Sequence, residues 1–320
     1  MPKVTGALGT ARNFMNIVKE VDFDEVRGRA ETPPSILVCA SDETLAGSFV
    51  REVIGEDAER KVDTRTQWFG DIDGSKYDIV VVLDPGTEDI AGQVRKAIGP
   101  DQASRKVLAP RVTTDSLSPK EIGRLQDALV ELNSDLAPAL GRHFPMLQLP
   151  AVRAIVDDTS KANAQFALVS NIPAVIPLVG GIVAAGADFI VLTKNQVMMV
   201  FKIAAVHDRD LGNQFKLMRE LAPVVGTGFL WRTVAREAVS FLPLAAGTIP
   251  KVAIAYVGTV VMGRAADYFY RFGKKPTSEQ LREFADRAAE TVGRLQIGKR
   301  DEETASEKQP PPDEPEQKSA

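Results

Sequence analysis

Residues Ala162–Ala187 read ANAQFALVSNIPAVIPLVGGIVAAGA and contain no charged side chain. An uncharged apolar stretch of 18 or more residues is long enough to cross a bilayer as a helix. A second apolar region, Ala238–Gly263, is interrupted only by Lys251. Pro173 and Pro177 lie four apart on one helical face, and Gly180, Gly181 and Gly186 follow. Proline and glycine are commoner in membrane helices than in soluble ones, and small residues let helices approach closely. Leu242-Pro243-Leu244-Ala245-Ala246-Gly247 echoes Ile176-Pro177-Leu178-Val179-Gly180-Gly181. The expectation is an α-helical, membrane-associated domain over residues 146–298, with apolar regions 162–187 and 238–263. A buried helical core competes with it. Lys251, directly after Pro250, splits the second region into pieces too short to span, and a lysine near a bilayer centre costs about 2.5–3.5 kcal/mol.

Outward from these regions the chain is charged. Val191–Val206 extends the first region with Lys194 and Lys202 set into it, and His207-Asp208-Arg209-Asp210 stops it. Gln214–Leu221 and Trp231–Val239 read as helices. Thr277-Ser278-Glu279-Gln280 is a capping box leading into Leu281, Phe284, Ala285, Ala288, Val292 and Leu295 at helical spacing. Residues 299–320 are charged and proline-rich, and are expected to be a disordered tail.

Upstream, strand and helix patterns alternate. Ile36–Cys39 is a short β run, and Asp42 caps a helix with Leu45, Phe49, Val50, Val53 and Ile54 on its apolar face. Tyr77–Leu83 (YDIVVVL) has the continuous apolar character of a buried parallel strand. A helix with Ile90, Val94 and Ile98 follows, then a short strand at Val107-Leu108. Ser118-Pro119-Lys120-Glu121 is a capping box with proline at the first helical position. Its helix presents Ile122, Leu125, Leu129 and Leu132. This order predicts an α/β doubly wound, G-domain-like domain over residues 34–145. Residues 1–33 hold an amphipathic segment with Phe14, Ile17, Val18, Val21 and Val26, read as packing on that domain, with a membrane-surface helix as the alternative.

Composition narrows the function classes. Charged residues make up 26% of the 320-residue chain and the net charge is −4, so no global basic field recruits nucleic acid. A mean hydropathy of −0.08 excludes a polytopic membrane protein. The N-terminus lacks an apolar signal core. The one cysteine, Cys39, forms no internal disulfide and reads as a small buried hydrophobe. His143 and His207 lack a histidine four residues away, so no zinc site is expected; His207 reads as the wet end of a helix. Asp157 and Asp158, being adjacent, face different sides of a helix. Trp231 near Arg232, and Tyr268 and Tyr270 near Arg271, read as interfacial aromatics or as ordinary boundary packing.

The nucleotide motifs are degenerate. A P-loop needs G-x4-G-K-[ST], so that backbone N–H groups reach the phosphates, lysine neutralises their charge and the hydroxyl binds Mg²⁺. The turn here offers Ser41, Ala46, Gly47 and Ser48, which keeps the final hydroxyl and places Gly47 where the lysine belongs. At the guanine-reading position Val112-Thr113-Thr114-Asp115 keeps only the aspartate. Asp84-Pro85-Gly86 reads as turn chemistry ending a strand. Ser41, Gly47, Ser48 and Asp115 are the cofactor-binding candidates if a nucleotide binds. The expectation is no catalytic residue, no cofactor and no metal.

Residues Pro150–Phe272 carry ANAQFALVSNIPAVIPLVGGIVAAGADFIVLTKNQVMMVFKIAAVHDRDLG, notably Ile172-Pro173, Asp188, Gln196 and Met198-Met199, followed by SFLPLAAGTIPKVAIAYVGTVVMGRAADYFYRFGK. This segment resembles the YcjF-like family, a bacterial domain also found C-terminal to some Era-like GTPases. The resemblance implies a membrane-associated helical architecture and no established chemistry. Together these readings point to a non-catalytic adaptor or scaffold at the bacterial inner membrane, its first domain in the cytoplasm. Its partners would be the lipid membrane and another protein or a second copy. An unconventional GTPase and a soluble helical interaction protein are the alternatives.

Overall fold

The computed structural model describes residues 21–85, 89–112, 116–169, 181–213, 216–217 and 249–307, at 181–190, 249–251 and 293–307 for the backbone alone. Strands β1 (Ile36–Ala40), β2 (Val62–Arg65), β3 (Ile79–Leu83) and β4 (Val107–Leu108) form a parallel sheet in the order β2-β1-β3-β4. Ile36 pairs with both Val62 and Ile79, and Val80 pairs with Val107. Every residue of β1 and β3 is buried, as continuous apolar runs covered on both faces must be. Alternation sorts them. Ile36, Val38, Ala40, Ile79, Val81 and Leu83 join one core, and Leu37, Cys39, Val80 and Val82 the other.

Helices cover both faces. On the first lies α2 (Glu43–Phe49, continued by a π turn Val50–Ile54), and the core there also takes in side chains of α1 (Asp24–Glu31) and, beyond the sheet in sequence, α5 (Pro119–Glu131). On the second lie α3 (Ile90–Ile98) and α4 (Pro100–Lys106). The expected capping box forms at α5, where Ser118 Oγ accepts from the Glu121 backbone and the Glu121 carboxylate accepts from the Ser118 backbone. Strand β2 is absent from the sequence expectation. It is an edge strand whose Asp63 and Thr64 are exposed, so only Val62 signals burial.

The second half is helical: α6 (Ala137–His143), α7 (Gln148–Val169), α8 (Gly181–Val206), α9 (Ile249–Phe272) and α10 (Ser278–Glu307). Gln280 N donates to Thr277 Oγ1 at 3.2 Å and Thr277 N to Gln280 Oε1 at 2.9 Å, the capping box expected for α10. One continuous core crosses residues 145–146. Ile36 and Val81 of the sheet belong to the same buried cluster as Leu140, Val152, Phe201 and Ala266. Phe23 stacks on Phe201 at 4.5 Å, and Val21 and Val26 pack beside it, so the described part of the N-terminal segment lies on the protein. Phe14, Ile17 and Val18 lie outside the described residues.

The expected inner-membrane location is overturned. Among the described residues no helix is long and apolar enough to cross a membrane. The 26-residue α8 carries Asp188, Lys194, Asn195, Gln196 and Lys202, and α9 carries Lys251, Arg264, Asp267 and Arg271. Many of their apolar side chains are covered by protein: Val197, Val200, Phe201, Ile203, Val257 and Val261 are nearly inaccessible, while Val191, Ile254 and Phe272 stay exposed. Apolar sequence reported the need to leave water, and neighbouring helices meet that need. Residues 170–180 and 238–248 of the two regions lie outside the described residues. So do the helices read at Gln214–Leu221 and Trp231–Val239, apart from Lys216 and Leu217, which are helical. Part of the expected tail differs as well, while residues 308–320 lie outside the described residues. Helix α10 continues through Glu307, past the expected boundary at residue 299, because Lys, Arg and Glu lose little side-chain freedom in a helix.

Candidate functional site

In an open parallel sheet, ligands bind beyond the carboxyl ends of the strands, where the strand order reverses. Here that point lies between β1 and β3, which run from a common start toward opposite neighbours. Only Ser41 and Asp42 separate β1 from α2. Asp42 Oδ1 accepts from Leu45 N at 2.9 Å and Asp42 Oδ2 from Ser41 Oγ at 3.1 Å. These bonds, the backbone one foremost, hold the Asp42 carboxyl below the usual carboxylate range, so it is anionic at neutral pH. A carboxylate therefore sits on the N–H groups that would otherwise face a phosphate.

The sequence candidates do not converge on a phosphate. Helix α2 begins at Glu43, so Gly47 and Ser48 lie inside it and not at the turn. Ser48 is buried and its Oγ accepts from Arg51 Nη2 at 3.4 Å, while Ser41 stays exposed on the turn. Asp115 lies outside the described residues. Asp84 Oδ2 accepts from Ala91 N at 3.2 Å and Asp89, at φ 46°, caps α3 through Gly92 N. Among the described residues no three His, Cys, Asp or Glu side chains are grouped to hold a metal. Cys39 is fully buried, its thiol pushed up to about 12 chiefly by desolvation, and is no nucleophile.

The same rim carries a residue that the sequence did not single out. Trp68 is 81% exposed and adopts φ 58°, ψ 54°. The left-handed conformation costs a bulky residue roughly 1–2 kcal/mol. A clamp maintains it. Arg65 Nη1 donates to Trp68 O at 2.9 Å and pairs with Asp71, while Phe69 is buried beneath. Exposure and backbone angle are tertiary properties, and only the tryptophan itself, one of two in the chain, could have marked the position.

A second polar region joins the two halves of the molecule. A cleft of about 450 Å³ opens between α1, the Glu56–Arg60 turn, α6 and the end of α8, with Lys61, Arg142, His143 and Asp208 in its wall. Arg142 pairs with Asp208 at 2.8 Å and donates to Arg209 O at 3.1 Å; Lys61 Nζ donates to His143 O at 3.3 Å. These cations serve as fasteners between elements. Close by, His207 corrects its expected wet position. Its side chain is 8% exposed and Nε2 lies 2.9 Å from Asp267 Oδ1, tying α8 to α9, because the helix end is buried against α9. The aromatics near Arg271 pack locally, Tyr268 on Phe272 at 4.6 Å; Trp231 lies outside the described residues.

A third polar feature crosses the helices. Asn163 Nδ2 donates to Thr259 Oγ1 at 2.9 Å, Asn195 Nδ2 to Asn163 Oδ1 at 2.8 Å, and Gln196 Nε2 to Thr259 Oγ1 at 3.4 Å. Asn163 and Thr259 are wholly buried. Asp157 pairs with Lys161 at 2.6 Å, while Asp158 is exposed, as adjacent helical positions require. No protein-family model, curated protein or solved structure matches the chain.

Proposed function

We propose that this chain is a non-catalytic interaction protein, a scaffold whose doubly wound half keeps the layout of a nucleotide-binding domain with the phosphate position filled by its own carboxylate. The observation that carries this reading is Asp42, hydrogen-bonded onto the N-terminus of α2 where a phosphate would have to sit. A triphosphate arriving there meets like charge and, with Gly47 at the lysine position, no lysine. The helical half supports the same reading, since its polar groups are engaged with one another across α7, α8 and α9. Calorimetric titration of the full chain with GTP or ATP and Mg²⁺ is the test. The expected result is no saturable heat at micromolar ligand; a micromolar dissociation constant weakened by Ser48→Ala would establish the GTPase reading instead.

A further inference from the structure

An indole held in water by a clamped backbone invites the question of what covers it. The loop that presents Trp68 is fixed on three sides, by the buried Phe69 ring, by the Arg65 bond to Trp68 O and by the Arg65–Asp71 pair. The side chain is therefore displayed with little backbone freedom left to lose on binding, the condition under which an aromatic anchor works well. Carboxylates outnumber cations on the rim to which it belongs. At the carboxyl ends of the four parallel strands the described residues include Asp42, Glu43, Asp71, Asp84 and Asp89, against the guanidinium groups of Arg65 and Arg111. The Arg65 guanidinium is already paired with Asp71.

We propose that Trp68 and the carboxylates at the strand ends form a docking surface for a basic polypeptide segment, with an arginine or lysine of the partner lying on the indole face. The proposal rests on the interaction-protein reading above and names the partner's chemistry. A cation over a tryptophan face is attracted by the ring quadrupole, and the neighbouring carboxylates supply charge-assisted hydrogen bonds to further basic residues. Nucleic acids and phosphate ligands carry the wrong sign for this rim. The indole's backbone conformation makes the claim sharp, because φ 58° suits glycine far better than tryptophan. Truncation to glycine should therefore remove the anchor and stabilise the fold together.

The test uses the full chain with Trp231→Phe, so that Trp68 is the one fluorescent indole of the two. The probes are a decapeptide alternating arginine and glycine, its glutamate counterpart, and a single-stranded oligothymidine. The arginine peptide should change Trp68 emission saturably, with affinity falling as salt rises. Asp42→Asn combined with Glu43→Gln keeps the helix cap and removes two charges, and should weaken binding about tenfold. Trp68→Gly, followed by calorimetry, should weaken it by about tenfold or more while raising the denaturation midpoint. Equal affinity in Trp68→Gly, equal binding of the glutamate peptide, preference for the oligothymidine, or a lowered midpoint in Trp68→Gly would each overturn the proposal. Saturable nucleotide binding sinks the scaffold reading itself. A flat nucleotide titration with no arginine-peptide response sinks only the Trp68 surface.

Discussion

His143 shows how a single side chain makes stability depend on pH. Its Nε2 lies 3.1 Å from Ala30 O, fastening the end of α1 to α6. Burial pushes its pKa below the usual histidine value, the hydrogen bond to Ala30 opposes that, and the nearby Arg142 and Lys61 charges reinforce it. The folded chain thus binds fewer protons at this site than the unfolded chain, whose imidazole titrates near 6.5. The site's contribution is present above that value and is lost as pH falls through about 6.5 toward the depressed folded pKa. His143→Gln keeps an N–H donor for Ala30 and removes the titration. The variant should lose less stability than the wild type between pH 7 and 5, measured by denaturant unfolding at each pH; parallel curves would refute the assignment. Glycine matters at this scale too. A Cβ on Gly141 would meet Val206 Cγ1 at 2.7 Å and Ala151 Cβ at 3.0 Å, so α6 reaches α7 and α8 only without a side chain there.

At the scale of elements, the amide–hydroxyl layer of Asn163, Thr259, Asn195 and Gln196 sets how α7, α8 and α9 align. Replacing Asn163 by leucine leaves the Asn195 amide without its acceptor and Thr259 Oγ1 without one donor, at a cost of about 1–3 kcal/mol. The Asn163→Leu variant should unfold at lower denaturant by that amount, and an unchanged midpoint would show the layer to be incidental. These elements were unevenly legible. The capping boxes at Ser118 and Thr277 and the apolar runs of β1 and β3 were readable because their signals are local and dense. Strand β2 was not, because an edge strand with Val62 as its one buried side chain carries almost no pattern. The apolar regions were read as lipid-facing because hydrophobicity states that a surface leaves water and not what covers it. Asn163 and Thr259, polar residues inside those same regions, were the available sign of a protein interior. At the rim, Asp42 was legible as a cap, and that cap places Gly47 and Ser48 within the helix. Trp68 was not legible, because a left-handed turn is fixed by Arg65 and Asp71 only in three dimensions.

For the whole molecule, the consequence of a core that crosses residues 145–146 is that its halves depend on each other. Leu140 and Phe144 precede that point and Leu147, Val152 and Phe201 follow it, yet all are buried together with Ile36 and Val81 of the sheet. Cutting there would return these faces to water, and burying one leucine or phenylalanine is worth about 1.5–3 kcal/mol. Several such residues outweigh the roughly 5–15 kcal/mol that holds an ordinary domain together. The full chain should therefore unfold in one cooperative transition by calorimetry, with tryptophan fluorescence and far-ultraviolet circular dichroism changing together. A fragment of residues 34–145 should bind a hydrophobic dye and show no sharp transition of its own. If that fragment instead melts cooperatively near the midpoint of the full chain, the two halves are independent domains, and the fasteners at Arg142, His143 and His207 merely join finished parts.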